Sequence, residues 1–306
     1  MIWVSGRAVQ ENLTMLKELA VSIVMPAYKA QATIARAVAS ALAQTHVHFE
    51  LIVVADDEED YEAVLGRAGI ADQRLRFLSS GLIGAGSCPA RNVGLEAARH
   101  DIAAILDADD AFKPEKLEIM VPLAIQYGLV SCALDVTTPD GTHLRHVGKG
   151  ENRLLAPGDY KFTNFSMDSM LVHDRRRADP RFSTTQPSMT DLDFLLKLFA
   201  TVPACFHVGV PLHDYVKMPV SLSNGPGVTQ RMVASKTMMR KGLAEGHYPL
   251  ADPTGIVGMG RFLDISLAAE KTYSPRPGAN PPDLFENHIE PLLERGQISP
   301  SATGSG

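Results

Sequence analysis

Between Val21 and Gly128 the sequence alternates short apolar segments with amphipathic ones, and this alternation limits the possible folds more than any other feature. The apolar segments are continuous runs, which is typical of parallel strands covered by helices on both faces. The predicted strands are 21–25, 49–54, 75–78 and 102–106. Helices are predicted between them, two of which open on Pro89 and Pro114. The sequence therefore predicts an α/β fold with a mostly parallel central sheet flanked by helices.

After Gly128 the pattern changes. Residues 129–136 and 143–147 flank a Pro-Asp-Gly turn and predict a hairpin. An amphipathic helix is predicted over 191–200, and a strand over 206–210.

Both ends of the chain differ from this central part. We expect residues 1–20 to be an N-terminal extension with a short amphipathic helix from Glu11 to Leu19. Residues 224–298 are expected to form a helical C-terminal region, in which 229–242 is the clearest helix, and 299–306 a disordered tail.

Composition excludes several classes of protein. The 306 residues carry a net charge of −6 with both signs interspersed, so no basic stripe for nucleic acid is present. The three cysteines lack metal-ligand spacing and are typical of a reducing compartment. No apolar run approaches the roughly 20 residues that span a bilayer, and no signal pattern is visible. We expect a cytoplasmic protein, with peripheral association with the cytoplasmic face of a membrane left open.

The ends of three predicted strands carry the residues of greatest interest. Pro26, Ala27 and Tyr28 follow the first strand, Asp56 the second, and Asp107 the fourth. Ligands of parallel α/β sheets bind beyond the carboxyl ends of the strands, so we expect these segments to meet at one site.

The acidic turn Asp107-Ala108-Asp109-Asp110 is the strongest single candidate. Two carboxylates at positions i and i+2 of a loop can face one divalent cation, and hard cations prefer such oxygen ligands. A diphosphate would supply further oxygens to the same ion. The alternative is a solvated acidic turn that caps the next helix.

Other polar residues have ordinary structural explanations beside functional ones. We expect Asp56 to be functional and the rest of the 56–60 acidic run to lie at the surface as a helix start. Arg91, one turn into a predicted helix, could reach an anionic ligand. On physical grounds alone Asp191 and Asp193 are N-terminal capping residues. The ten histidines, which include His46 and His48, are interpreted individually as surface or core residues.

Taken together, these segments resemble the family 2 glycosyltransferases of the GT-A fold. The resemblance spans about residues 21–223. It is carried by the opening strand 21–28, the entry to the second strand at 44–54, the Ala-Arg-Asn-x-Gly helix at 90–94, the turn at 105–110 and the segment 190–194.

The resemblance implies a role for each matching residue. Those implied to bind the nucleotide sugar are Pro26, Ala27, Tyr28, Asp56, Arg91, Asp107 and Ala108. Asp109 would be the direct ligand of Mn²⁺ or Mg²⁺, with Asp107 in support, and Asp191 would be the catalytic base. Three departures are visible: Ala55 and Thr190 replace common acidic residues, and 212–218 lacks the usual Arg and His. His213 is out of register, so no role is carried over to it.

The implied function is metal-dependent, inverting transfer of a hexosyl group. The donor would be a nucleoside-diphosphate sugar, with UDP favoured, and the acceptor a hydroxyl of a carbohydrate or a lipid-linked molecule. Synthesis of a cell-surface polysaccharide or glycoconjugate is the expected setting. Residues 21–223 would form the GT-A domain, with 21–128 binding the nucleotide sugar and 129–223 the acceptor. A homodimer through the C-terminal helices is a further expectation.

Two alternatives stay open. One is a catalytically silent nucleotide-sugar binding protein, which the departures at Thr190 and Val216 allow and the intact acidic residues disfavour. The other is a sugar nucleotidyltransferase. Such an enzyme should carry a glycine-rich basic phosphate loop after its first strand, where this chain has Pro-Ala-Tyr-Lys-Ala at 26–30.

Overall fold

A computed structural model describes residues 19–163, 170–218, 227–276 and 283–297. The N-terminal helix predicted from Glu11 lies almost entirely outside these residues, and so does the predicted tail at 299–306.

The described residues form strands and helices in close alternation. The strands are β1 (Val21–Ala27), β2 (Phe49–Ala55), β3 (Leu75–Ser79), β4 (Ile102–Ile105), β5 (Ala111–Phe112), β6 (Leu129–Thr137), β7 (His143–Val147), β8 (Arg153–Leu155), β9 (Leu171–Asp174) and β10 (Cys205–Val216). The helices are α1 (Ile34–Leu42), α2 (Tyr61–Arg67), α3 (Ser87–Ala97), α4 (Lys116–Tyr127), α5 (Pro157–Thr163), α6 (Thr190–Leu198), α7 (Val228–Ala244), α8 (Gly255–Thr272) and α9 (Phe285–Gln297).

One mixed sheet contains these ten strands, eight of them in the order β3-β2-β1-β4-β9-β6-β10-β5, while β7 pairs with β6 and β8 with β10. The pairs β3–β2, β2–β1 and β1–β4 are parallel, and so is β6–β10. Strand β9 runs antiparallel between β4 and β6. The short β5, β7 and β8 are also antiparallel to their neighbours. The predicted α/β fold, a central sheet flanked by helices, is confirmed.

Burial explains why the first half folds as its pattern predicts. Every residue of β1, β2 and β4 is buried, as expected for strands covered on both faces. Helix α1 turns Ile34, Ala37, Val38 and Ala41 toward this core. Helix α4 ends at Gly128, whose positive φ of 86° suits the left-handed C-terminal position. The predicted hairpin is present as β6 and β7.

Strand β9 and helix α5 were not predicted. Strand β9 has four residues, too few for a periodic signal, and it is fixed by pairing with β4 and β6 rather than by its own pattern. Helix α5 crosses α8 at glycines: a Cβ on Gly258 would lie 2.3 Å from the carbonyl oxygen of Gly158. This close approach brings the C-terminal helices onto a core that they share with α6. No helix of the described residues is long and apolar enough to cross a membrane.

Gly94 provides a test of the packing between α3 and the sheet. A Cβ at this position would lie 2.3 Å from Cγ1 of Val24 and 3.2 Å from Cγ2 of Val54. We expect Gly94→Ala to destabilise the protein, since overpacking typically costs about 1–3 kcal/mol and outweighs the helix propensity of about 1 kcal/mol that alanine gains. Gly66→Ala is the control, because nothing lies within 4 Å of that Cβ and it should be neutral or stabilising. Urea denaturation measures both, and equal effects would contradict the packing.

Candidate functional site

The carboxyl ends of β1, β2 and β4 meet at one edge of the sheet. Ala27 is paired with Ala55, and Val24 with Ile105, so the segments after these strands start side by side. The backbone N–H of Asp56 donates to the carbonyl of Ala27 at 2.8 Å, which fixes the first two ends together. Three of the segments predicted to form a site are therefore neighbours.

Tyr28 and Asp56 lie at this edge with a glycine-rich loop beside them. The Tyr28 side chain is 46% exposed, whereas Asp56 is buried. The Asp56 carboxylate accepts hydrogen bonds from the Ser80 hydroxyl at 2.9 Å and from the Gly86 N–H at 2.8 Å. A Cβ on Gly84 would lie 3.4 Å from the Tyr28 hydroxyl. Asp56 thus holds the 80–86 loop beside the partly exposed Tyr28.

Asp57 contributes more than the sequence suggested. Its carboxylate accepts a hydrogen bond from the Lys29 N–H at 2.6 Å and from the Tyr61 hydroxyl at 3.0 Å. It fixes the turn that follows Tyr28, although its side chain is only half-buried.

Strained backbone marks two of the predicted site segments. Among the described residues, Lys29 (φ 50°) and Met189 (φ 54°) are the non-glycine residues with positive φ. Lys29 directly follows Tyr28, and Met189 lies two residues before Asp191. Such conformations cost of order 1–3 kcal/mol and cluster at functional sites. The backbone at Lys29 and at Met189 is therefore held in a left-handed conformation that these residue types do not favour.

Arg91 and Asp107 form an ion pair at the carboxyl end of β4. The Arg91 Nη2 donates to the Asp107 Oδ1 at 2.6 Å, and the two side chains are 7% and 19% exposed. The predicted meeting of α3 with the acidic turn is present, and the partner of this guanidinium here is Asp107. A ligand that approaches Asp107 therefore also approaches Arg91.

Three carboxyl groups are crowded together at the acidic turn. Burial, together with the carboxylates of Asp110 and Asp107, raises the pKa of Asp109 to about 7. Arg36 donates to the Asp109 carbonyl, and its charge offsets part of this effect. A cation beside Asp109 would be stabilised by the same crowding that raises the pKa.

Asp110 has a different environment from Asp109. It is 1% exposed, and its carboxylate accepts from the Val216 N–H at 2.9 Å and lies 3.0 Å from Nε2 of His213. Burial, and then the charge of Asp107, raise the pKa of Asp110 well above its usual range. Burial, followed by the charge of Lys116, lowers the pKa of His213 well below its usual range. Asp110 thus ties the acidic turn to β10.

The pairing of β5 with β10 explains this contact. Strand β5 follows Asp110 at once, and Phe112 pairs with His213 in register. Sequence reasoning carried no role over to His213, because its place in the segment differed from the family pattern. The available signal was that His213 belongs to a strand that pairs with the residues after the acidic turn. Only the sheet topology reveals that pairing.

Helix α6 reaches the acidic turn through aromatic contacts. The Arg91 guanidinium lies 5.1 Å from the ring centre of Phe182, which stacks on Phe194 of α6 at 4.0 Å. Asn92 holds the Phe182 backbone by two hydrogen bonds, of 2.8 and 3.0 Å. Asp191 lies one turn before Phe194, in the first turn of α6.

Asp191 and Asp193 have separate environments. Asp193 is buried, accepts from the Tyr248 hydroxyl at 3.0 Å, and pairs with Lys197 at 2.6 Å. Asp191 is half-buried, and no described residue donates a hydrogen bond to its carboxylate. Asp193 is thus occupied in holding α6 against the C-terminal helices. Burial lowers the pKa of Lys161 to about 8, and the charge of Asp191 partly offsets that lowering.

A second group of ligand-type side chains was missed from the sequence. Asp135 of β6 meets His143 and His146 of β7, and one ligand atom from each lies within 4.8 Å of the others. Both histidines lie at the surface, as expected, and the structure brings them together beside one carboxylate.

Residues 22–175 match the sequence profile of the family described as glycosyl transferase family 2. The chain belongs to glycosyl transferase family 2. The match runs from the second residue of β1 to the end of β9 and includes the acidic turn. It ends before α6 and β10.

Curated relatives agree with this family. The chain is 38% identical over 133 residues to the succinoglycan biosynthesis protein ExoO of Rhizobium meliloti, covering 43% of this chain and 38% of the relative. It is 34% identical over 191 residues to the putative teichuronic acid biosynthesis glycosyltransferase TuaG of Bacillus subtilis, covering 58% of this chain and 73% of TuaG.

A third relative is the Escherichia coli UDP-Glc:alpha-D-GlcNAc-diphosphoundecaprenol beta-1,3-glucosyltransferase WfgD. It is 34% identical over 106 residues, 35% of this chain and 41% of WfgD. The matches to ExoO and WfgD thus span about two fifths of those relatives' length.

Solved structures show the same fold. S. aureus TarS 1–349 in complex with UDP-GlcNAc has a TM-score of 0.64 at 14% identity, over 91% of this chain and 79% of that one. A TarS crystal structure gives a TM-score of 0.61 at 13% identity, over 82% of this chain and 43% of that one. The predicted GT-A fold and family 2 membership are confirmed.

The buried contact between Asp110 and His213 can be tested by removing one partner. We expect His213→Leu to destabilise the protein by about 1–3 kcal/mol, because the substitution leaves the buried Asp110 oxygen without that hydrogen bond. Chemical denaturation measures the change. His247→Leu, at an exposed histidine beside Glu245, should change stability by less than about 0.5 kcal/mol. An effect of His213→Leu as small as that of the control would contradict the role of this contact.

Proposed function

We propose that the chain transfers a sugar from a nucleoside-diphosphate sugar to an acceptor hydroxyl with inversion at the anomeric carbon. The observation that carries the proposal is the meeting of the acidic turn with Arg91, Asp56 and Tyr28 at the carboxyl edge of the sheet. That edge is where ligands of parallel α/β sheets bind.

The donor would lie along this edge. The exposed Tyr28 ring offers a stacking surface for a base, and the Asp56 carboxylate beside it can accept from a base N–H. Pro26 and Ala27 end β1, the strand that leads into Tyr28. Ala108 follows Asp107 in the acidic turn and would lie near the sugar of the donor. A UDP-sugar is the donor we favour, and the structural relative TarS was solved with UDP-GlcNAc.

The acidic turn suits a hard divalent cation such as Mn²⁺ or Mg²⁺. Asp109 has the charge crowding that a cation relieves, and its donor atoms are carboxylate oxygens. Asp107, already beside Arg91, would support it, whereas Asp110 is occupied by His213 and Val216. When bound there, the ion would neutralise charge that develops on the leaving diphosphate.

The chain's own groups would perform the remaining steps. Arg91 would stabilise negative charge that develops next to Asp107. Asp191, at the N-terminal turn of α6, would accept the proton of the acceptor hydroxyl. The acceptor oxygen then bonds to the anomeric carbon as the bond to the diphosphate oxygen breaks, and the nucleoside diphosphate leaves.

The acceptor class is inferred from the relatives. ExoO and TuaG carry names in succinoglycan and teichuronic acid biosynthesis, and WfgD acts on a diphosphoundecaprenol-linked sugar by its name. We therefore favour a carbohydrate or lipid-linked acceptor in the synthesis of a cell-surface polysaccharide. Residues 129–223 would provide its binding site, and the C-terminal helices are a candidate dimer surface.

Asp191→Asn tests the catalytic assignment. Loss of a general base typically costs ~10²–10⁴-fold in rate, whereas the amide keeps the shape of the side chain. We expect release of nucleoside diphosphate from a UDP-sugar in the presence of Mn²⁺ to fall by that factor, while stabilisation of the variant by the donor stays unchanged. Asp264→Asn, at an exposed helix residue paired with Arg240, is the matched control and should keep full activity. Normal turnover by Asp191→Asn would overturn the assignment.

A further inference from the structure

We propose that Asp135, His143 and His146 form a binding site for a borderline transition-metal ion such as Zn²⁺, separate from the acidic turn. Asp135 lies on β6 and the two histidines on the neighbouring β7. This pair of strands belongs to the half of the domain that we assign to the acceptor.

A β-bulge brings the two histidines to one face. Residues three apart in a regular strand point to opposite faces of a sheet. Here Asp135 pairs with His146 and Val136 with Arg145, but Thr137 pairs with His143, so Leu144 is an extra residue. An inserted residue of this kind shifts the following side chain to the other face. His143 and His146 therefore both stand on the face that carries Asp135.

The contacts of Asp135 divide between its two oxygens. Oδ1 faces both imidazoles: Nε2 of His143 lies 3.2 Å away, and Nδ1 of His146 is also within hydrogen-bond distance. Oδ2 is bound by the ammonium of Lys113, which also lies 3.4 Å from Asp214. Lys113 thus orients the carboxylate and leaves Oδ1 for the histidines.

One of the three ligand-atom separations already has the value that a tetrahedral ion requires. Zn–N and Zn–O bonds of about 2.0–2.1 Å place neighbouring ligand atoms roughly 3.3 Å apart. The separation of His143 Nε2 from Asp135 Oδ1 already has this value within about 0.1 Å. The histidine side chains are 45% and 42% exposed, so small rotations can complete the set and solvent can supply a fourth ligand.

The donor atoms distinguish this site from the acidic turn. Imidazole nitrogens suit zinc, copper and nickel, whereas carboxylate-only sites suit magnesium and manganese. An ion at Asp135 would join β7 to β6 by bonds to both strands. Strand β10 would separate the ion from the acidic turn. Asp135 of β6 pairs with Asp214 of β10, and Asp214 pairs with Ala111, the residue after the turn.

Metal binding by the full chain tests the proposal. Zn²⁺ titration by calorimetry in the presence of excess Mg²⁺, and the visible absorption of bound Co²⁺, should report one saturable site per chain. We expect His143→Ala and His146→Ala each to weaken Zn²⁺ binding by at least about 10-fold, a loss that even substitutions behind a metal ligand cause. His247→Ala is the matched control, because that exposed imidazole lies 3.8 Å from a single carboxylate, Glu245. It should leave binding unchanged.

Asp109→Asn separates this site from the proposed donor site. The variant should keep the Zn²⁺ affinity and the Co²⁺ spectrum of the original chain if the ion lies at Asp135. Thermal unfolding without metal checks that the histidine variants fold as the original chain does. The absence of a saturable Zn²⁺ site, or binding that survives both histidine substitutions, would overturn the proposal.

Discussion

Three neighbouring carboxyl groups after β4 are crowded at the carboxyl edge of the sheet, and the surrounding structure is organised to hold them. Arg91 binds Asp107, Arg36 contacts the backbone of Asp109, and His213 contacts Asp110. These partners come from α3, α1 and β10, so the same charge ties together elements that are far apart in the sequence. Asp109 keeps a raised pKa despite them, which is the physical basis for proposing a cation there.

The parallel register of β1, β2 and β4 places the acidic turn beside the proposed nucleotide surface. The continuous apolar runs predicted this part of the sheet correctly, because strands buried on both faces are apolar at every position instead of alternating with polar residues. The same rule placed Tyr28, Asp56 and Asp107 at one edge, and the pairings of Ala27 with Ala55 and of Val24 with Ile105 show these strand ends side by side. The positions of side chains that directly follow strand ends can therefore be predicted from the sequence.

Contacts made through irregular or distant pairing were not accessible. The role of His213 depends on β5, a strand of two residues, and the meeting of His143 with His146 depends on one bulge in β7. Asp57 is similar: its contact with Lys29 needs the strained turn after β1. In each case tertiary pairing overrides a local pattern that is too short to be informative.

The stacking of Phe182 on Phe194 connects the acidic turn to α6, the helix that carries Asp191. It sets α6 against Arg91, so the helix that carries Asp191 is positioned by the residue that also binds Asp107. Donor and acceptor groups would thus be aligned by one chain of contacts from the acidic turn to α6.

The most direct measurement of the central claim is thermal unfolding of the original chain and of Asp109→Asn with UDP-sugars, each with and without Mn²⁺. A donor at 100 times its Kd stabilises the folded state by about 2.7 kcal/mol, which is readily measured. A cation held by Asp109 predicts that the original chain gains this stabilisation only with Mn²⁺ and that Asp109→Asn loses the Mn²⁺-dependent part. Equal stabilisation of both proteins, or a donor effect indifferent to Mn²⁺, would contradict the account.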